Sequence, residues 1–135
     1  MPIFKTPDEL KRHLKKAADA LQAEIIITVQ SELGSTRVSP YDTGRFRSSW
    51  FASEGQQSDS VAPEGADAPN MDATGLKVDS NKNYYLTNSL EYAQSVAIEG
   101  RVVSQPQTWF KDFRDSRLPK IQAAAESVIK RAYEL

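Results

Sequence analysis

Cysteine is absent from this 135-residue chain, which excludes disulfides, thiolate metal sites and cysteine nucleophiles and fits assembly in a reducing cytoplasm. Histidine occurs once, at His13, so a histidine-based zinc site lacks its further ligands. Long apolar runs are missing too. The most strongly apolar stretch is Ile25-Ile26-Ile27, far short of a bilayer span, and the opening Met1-Pro2-Ile3-Phe4-Lys5 lacks the apolar core of a signal peptide. A soluble protein made where it works, with no membrane partner, is expected. Neither charge sign dominates, with 17 basic against 18 acidic side chains, so bulk charge gives no sign of a nucleic-acid binder.

Catalytic chemistry is equally sparse. His13 shares a helical face with Lys11, Arg12, Lys15 and Lys16, where solvent exposure is the natural expectation for it. No glycine-rich phosphate loop is present. Asp67, Asp72 and Asp79 match no calcium-loop spacing and read as acids that keep a loop soluble. The expectation is therefore a protein that is not an enzyme, with no cofactor, no metal and no catalytic residue.

What is present is amphipathic structure. Thr6-Pro7-Asp8-Glu9 has the form of a helix start: a capping threonine, proline in the first turn and a glutamate that completes a capping box. Leu10, Leu14, Ala18, Leu21, Ile25, Val29 and Leu33 then recur every three or four residues, and Gly34 follows as a left-handed cap. This predicts a helix about 40 Å long at about 1.5 Å per residue, nearly the width of a domain this size. Ile26 and Ile27 lie partly off the main stripe, which suits a helix touching both its own core and a neighbouring subunit.

Ser39-Pro40 ends any helix, and Asp42-Thr43-Gly44 reads as a turn or a cap, with Asp42 positioned to accept free N–H groups and Gly44 allowing close backbone approach. Arg45-Phe46-Arg47-Ser48-Ser49-Trp50-Phe51 then runs from a helical turn into a strand. The stretch 54–74 has almost no large apolar side chain and reads as a long, mobile polar loop. Six acids, Glu54, Asp59, Glu64, Asp67, Asp72 and Asp79, face only Lys77 and Lys82 between residues 54 and 82. Strand-like runs at 75–79 and 84–88 are predicted to pair with the strand at 50–52. Residues 92–100 are ambiguous between a helix closed by Gly100 and a strand, and helix is preferred. Towards the end, Phe110, Phe113, Leu118, Ile121, Ala125, Val128 and Ala132 mark one helical face, and Pro119 demands a kink or a break. The expected fold class is α+β: one domain over 1–135, a small antiparallel sheet packed with long N-terminal and C-terminal helices.

The segment Ser39-Pro40-Tyr41-Asp42-Thr43-Gly44-Arg45-Phe46-Arg47-Ser48-Ser49-Trp50 resembles the tail-completion, or neck, family of tailed phages (minor tail protein Z-like), whose members carry a Pro-x-Asp-Thr-Gly-x-(apolar)-Arg-x-Ser pattern. Tyr92-Ala93-Gln94-Ser95-Val96-Ala97-Ile98-Glu99-Gly100 is similar to that family's Tyr-Ala-x-x-(apolar)-x-x-Glu-Gly segment. On this resemblance the motif residues are Pro40, Asp42, Thr43, Gly44, Arg45, Arg47, Trp50, Tyr92, Ala93, Glu99 and Gly100.

The resemblance implies a structural virion protein, assembled in the host cytoplasm and located at the neck or top of the tail. It would form a homo-oligomeric ring, a hexamer, at the head–tail junction. Its implied partners are head connector or adaptor proteins, tail tube or terminator proteins, and genomic DNA that passes through the lumen without specific binding. A tail terminator capping the tail tube is the alternative within this reading. A ring closed by heterologous contacts needs two different complementary faces per subunit. The outer sides of the long helices and the sheet edge are the candidates. The acids from Glu54 to Asp79 are candidates for facing the lumen or a neighbouring ring, where negative charge would repel phosphate. From another class, Arg45, Arg47, Trp50 and the tyrosines could form a single-stranded nucleic-acid binding module. The residues alone read the Asp-Thr-Gly corner as a fold-holding element before a binding one.

Overall fold

A computed structural model of the chain describes residues 3–35, 44–91, 93 and 108–135. Among them run helix α1 (Pro7–Leu33), the short helix α2 (Arg45–Ser48), strand β1 (Trp50–Glu54), a 3₁₀ turn (Asp72–Gly75) and strand β2 (Tyr84–Asn88). Helix α3 (Trp109–Asp112), a π-helical turn (Phe113–Arg117) and helix α4 (Leu118–Ala132) follow. The fold is α+β. β1 and β2 pair antiparallel, with Trp50 opposite Asn88 and Glu54 opposite Tyr84.

The capping chemistry at the start of α1 is realised: Thr6 Oγ1 accepts the Glu9 N–H at 3.1 Å, and the Glu9 carboxylate reaches back to the Lys5 N–H at 2.7 Å. At the other end Gly34 is right-handed, at φ −78°, not left-handed as expected. The glycine is needed for space instead, because a Cβ there would lie 2.9 Å from the Pro69 Cβ. The polar segment crosses directly over the helix end.

The stripe of α1 expected to face the core is only partly covered. Ala17, Ile26, Gln30 and Leu33 are the buried residues, whereas Leu10 and Leu14 are 39% and 46% exposed. The contacts explain the change of face: the second half of α1 lies against β1 and the 3₁₀ turn, and α4 packs along the helix. Leu33 and Val29 of the predicted stripe reach the core, Ile26 is buried beside it although off the stripe, and Ile25 lines a shallow apolar groove of about 460 Å³ with Leu21 and Tyr84. His13 is half-buried rather than solvated. It sits between the rings of Phe4 and Tyr133, at centroid distances of 5.0 and 5.6 Å, and its Nε2–H donates to the Tyr133 carbonyl at 2.7 Å. A carbonyl can only accept, which fixes that tautomer.

The core gathers Leu33, Phe46, Trp50, Leu90, Trp109, Phe113 and Ile121. Pro119 neither breaks nor sharply separates the closing helices. Proline lacks an N–H and crowds the carbonyl four residues back; the wider π turn, in which the Leu118 N–H reaches the Phe113 carbonyl, absorbs both problems. The extra residue shifts the helical phase. Ile121, Ala125 and Ile129 therefore face inward, while Val128 is half exposed and Ala132 is exposed.

Residues 75–79 do not form the third strand that their alternation predicts. The Asp79 N–H donates to the Tyr84 hydroxyl at 2.7 Å, and the Ser80 N–H to Asp19 Oδ1 at 2.7 Å, so side chains take the groups a ladder would need. β1 has no free outer edge at its start. The Trp50 carbonyl accepts from Gln30 Nε2 at 3.0 Å, and the Ala52 N–H donates to Asp72 Oδ1 at 3.1 Å. An edge capped in this way is a poor template for another chain.

Gln30 is the fully buried link among these parts. Its Nε2 donates to the Trp50 carbonyl and to Asp72 Oδ1, and its Oε1 accepts the Ala73 N–H at 2.9 Å. Gln30→Leu keeps the volume but leaves the Trp50 carbonyl and the Ala73 N–H unpaired, so a loss of about 2–4 kcal/mol is expected. Urea unfolding measures it; an unchanged midpoint would show that the amide is dispensable.

Candidate functional site: the Gly44–Trp50 corner and the acidic segment

The corner is built from inward-facing groups. Phe46 and Trp50 are 2% and 6% exposed, and their rings meet edge to face at 5.8 Å; Phe46 meets Trp109 at 6.0 Å in the same way. Ser48 Oγ donates to the Gly44 carbonyl and Ser49 Oγ to the Arg45 carbonyl, so both buried hydroxyls close the α2 turn. Ser49 Oγ also accepts the Ala62 N–H at 3.0 Å. From β2, Asn88 Nδ2 donates to the Phe46 carbonyl at 2.8 Å, and Ala93 packs against the core.

Both arginines of the motif are spent on the chain itself. Arg45 Nε donates to the Ala62 carbonyl at 2.8 Å. Arg47 donates through Nη1 to the Gly34 carbonyl at 3.1 Å and through Nη2 to the Asp67 carbonyl and carboxylate. Gly44 has φ +81°, and a Cβ there would lie 3.0 Å from the Asp67 Cα, so a left-handed turn and a close approach coincide. Of the remaining motif residues, Pro40, Asp42, Thr43, Tyr92, Glu99 and Gly100 lie outside the described residues, as does the segment 94–100 read as helix.

These contacts correct the expectation for 54–74. The segment is irregular until the 3₁₀ turn and mostly exposed, but it is held at several points. Ala62 and Ala73 are buried, Ala62 is held by Arg45 and Ser49, Asp67 by Arg47, and Asp72 and Ala73 by Gln30. Small alanines let the backbone come close, and hydrogen bonds do the holding that apolar bulk would do elsewhere. Composition did not reveal this, because the partners lie far away in sequence, on α1 and α2.

The six acids separate into two groups. Glu54 pairs with Lys82 at 2.9 Å, Asp67 with Arg47 at 3.1 Å, Asp79 with Lys15 at 2.7 Å, and Asp72 accepts from Gln30 and the Ala52 N–H. As candidates for a lumen or a neighbouring ring these four are engaged within the chain. Asp59 and Glu64 are exposed. They flank Val61, and Glu64 and Val61 line a shallow depression with Arg45, Leu90 and Glu91. Ser89 Oγ donates to the Ser58 carbonyl at 2.7 Å, which brings Asp59 to the same side. Glu91 belongs to this surface although no local pattern groups it with the 54–79 acids; its proximity is purely tertiary.

Lys15 bridges Asp19, at 2.5 Å, and Asp79. The Lys15 hydrogen bond, helped by the Ser80 N–H, holds the Asp19 carboxyl down at about 2, while the same lysine lowers Asp79 and is itself raised by the two acids. A carboxylate depressed on folding contributes stability that is present above its ordinary value of 3.8 and lost as pH falls through its folded value. The 79–82 turn is therefore expected to release from α1 as pH drops from about 4 to about 2. An NMR titration of the Asp19 carboxyl with the Ser80 amide as reporter tests this; a midpoint at the ordinary value would refute it.

The grouping of acids makes a second prediction. Asp59→Lys and Glu64→Lys should each leave stability within about 0.5 kcal/mol, whereas Asp72→Lys, which removes the acceptor shared by the Ala52 N–H and one N–H of the Gln30 amide, should cost about 1–3 kcal/mol. Thermal melts of the three variants distinguish the groups. Comparisons with family models, with curated proteins and with solved structures match this chain to none, so the reading of its function rests on the residues and on this geometry.

Proposed function

We propose that this protein is a structural subunit of a tailed-phage virion that assembles with copies of itself into a ring, a hexamer, at the head–tail junction, around a channel for DNA. Its motif residues then serve as the corner that holds the subunit's shape, and its neighbours are the head connector and the tail tube or terminator. The observation that carries the assembly part is the stripe on α1. Leu10 and Leu14 stand well exposed, Leu21 and Ile25 are half-buried, and Leu14, Ala18 and Leu21 continue into an apolar groove of about 280 Å³ beside Ile129 and Leu135 of the closing segment. An apolar strip on so long a helix is the signature of a surface that another protein covers.

The corner favours this reading over a nucleic-acid binding module. Trp50 is buried against Phe46 and Phe110 and offers no open face to a base, and Arg45 and Arg47 donate to the chain's own carbonyls. Phosphate contacts need cations facing solvent.

Sedimentation velocity and native mass measurement of the purified protein test the proposal. Self-association is expected, and Leu14→Asp should weaken it about tenfold or more while leaving the thermal midpoint within a few degrees, since the side chain lies outside the core. A wild-type chain that stays monomeric at every accessible concentration overturns the assembly reading.

A further inference from the structure

The two edges of the small sheet are treated differently. At the start of β1 the outward groups are taken, the Trp50 carbonyl by Gln30 and the Ala52 N–H by Asp72. At β2 the register exposes a second row. The Gly55 N–H donates to the Asn83 carbonyl at 2.9 Å, in the register that sets Trp50 opposite Asn88. Bonded and non-bonded pairs alternate in an antiparallel ladder, so Phe51 with Thr87 and Ser53 with Tyr85 exchange hydrogen bonds. The N–H and C=O of Tyr84, Leu86 and Asn88 therefore point away from β1, and among the described residues none hydrogen-bonds to them.

Proteins commonly blunt an open edge with lysine, proline or a bulge, because its row of donors and acceptors is a template for another strand. Tyr84-Tyr85-Leu86-Thr87-Asn88 carries no charge and no proline, and it pairs one to one with β1. Beside it lies the groove of about 460 Å³ that Ala18, Leu21 and Ile25 of α1 line with Tyr84 of β2. Successive side chains of a strand point to opposite faces. A strand laid on β2 thus sends every second side chain to the face that Tyr84 and Leu86 share, over that groove. The hydrogen-bond directions and the apolar lining call for one kind of occupant: an extended, uncharged segment with apolar residues at alternate positions.

We propose that β2 receives an antiparallel strand from a protein other than this one, which extends the sheet and seats its apolar side chains on Leu21, Ile25 and Tyr84. The source of the strand rests on the ring reading above. Two β2 edges meet antiparallel only about a two-fold axis, which closes a pair and builds no ring. The described residues offer no other donor strand, since β1 is held at its start and the 75–79 run gives its Asp79 N–H to the Tyr84 hydroxyl. The strand then belongs to a head or tail neighbour of the ring.

Amide exchange in the free protein is the first test. The Leu86 N–H should exchange about tenfold or more faster than the Thr87 N–H, which is paired with Phe51. Equal protection overturns the open edge, and protection that appears only as the protein self-associates gives the edge to a second copy and overturns the proposed source. The second test adds the synthetic peptide Thr-Val-Thr-Val-Thr-Val-Thr to isotope-labelled protein, and the amide resonances of Tyr84, Leu86 and Asn88 should shift. Facing residues of an antiparallel pair share a side, so the valines that seat on the groove are also the residues whose N–H groups face β2. N-methylation of the valines should therefore weaken binding about tenfold or more, and N-methylation of the threonines should not. Leu86→Pro removes the outward N–H and spares the ladder with β1. It should weaken binding to the same degree while Leu86→Val retains it, with circular dichroism melts verifying that both fold. A peptide that does not bind at millimolar concentration, or that binds equally with its valines methylated, overturns strand addition. A wild type that stays monomeric in sedimentation removes the ring and the ground for excluding a second copy, and leaves the peptide result on the edge unchanged.

Discussion

The carboxamide of Gln30 lies where α1, β1 and the polar segment converge, and it is fully buried. An amide in that position is favourable only if its donors and acceptor all find partners. They do: the Trp50 carbonyl, Asp72 and the Ala73 N–H surround it. Because these groups have fixed directions, they set the rotation of α1 about its axis and its height against the sheet. An apolar side chain at position 30 would tolerate sliding. With that single register go the burial of Ile26 beside Leu33 and the exposure of Leu10 and Leu14 on the far half of the helix.

The same constraint accounts for the order in residues 54–74. A segment without bulky apolar side chains has little hydrophobic energy to offset the entropy of being fixed. Here the compensation comes from directed contacts: Gln30 on Asp72 and Ala73, Arg47 on Asp67, and Arg45 and Ser49 on Ala62. The corner residues are thereby the internal scaffold of a surface, and what the surface presents outward is Asp59, Val61 and Glu64. Charge that looked uniform along the chain is thus divided by the fold into acids that hold structure and acids that face outward.

A chain of this size leaves about a third of its unfolded surface in contact with water even when well packed. A 27-residue helix exceeds what two short strands and one closing helix can cover. α4 packs along α1, and His13 seals the junction with Tyr133, yet the leucines of the first turns remain outside. On the reading proposed here, the next copy covers them. Head-to-tail contacts close into rings when the rotation between copies permits it, which joins the local mismatch in α1 to the assembly proposed at the head–tail junction.

The sequence by itself determined the features that depend on neighbours along the chain: the Thr6 cap and start of α1, its end at Leu33, a strand at 50–52 that the structure extends to Glu54, the strand at 84–88, and the disturbance at Pro119. Helix capping and hydrophobic period are short-range effects, so local patterns report them. At the corner, the helical turn running into a strand and Gly44 as a point of close backbone approach were legible, whereas its approaching partner, Asp67, was not. Only the tertiary structure decided which face of α1 is core, which four of the six acids are held internally, that Glu91 joins Asp59 and Glu64, and that 75–79 gives its backbone to Tyr84 and not to a strand. Each of these depends on hydrogen bonds between residues far apart in sequence. Periodicity and composition carry no information about which distant donor meets which acceptor.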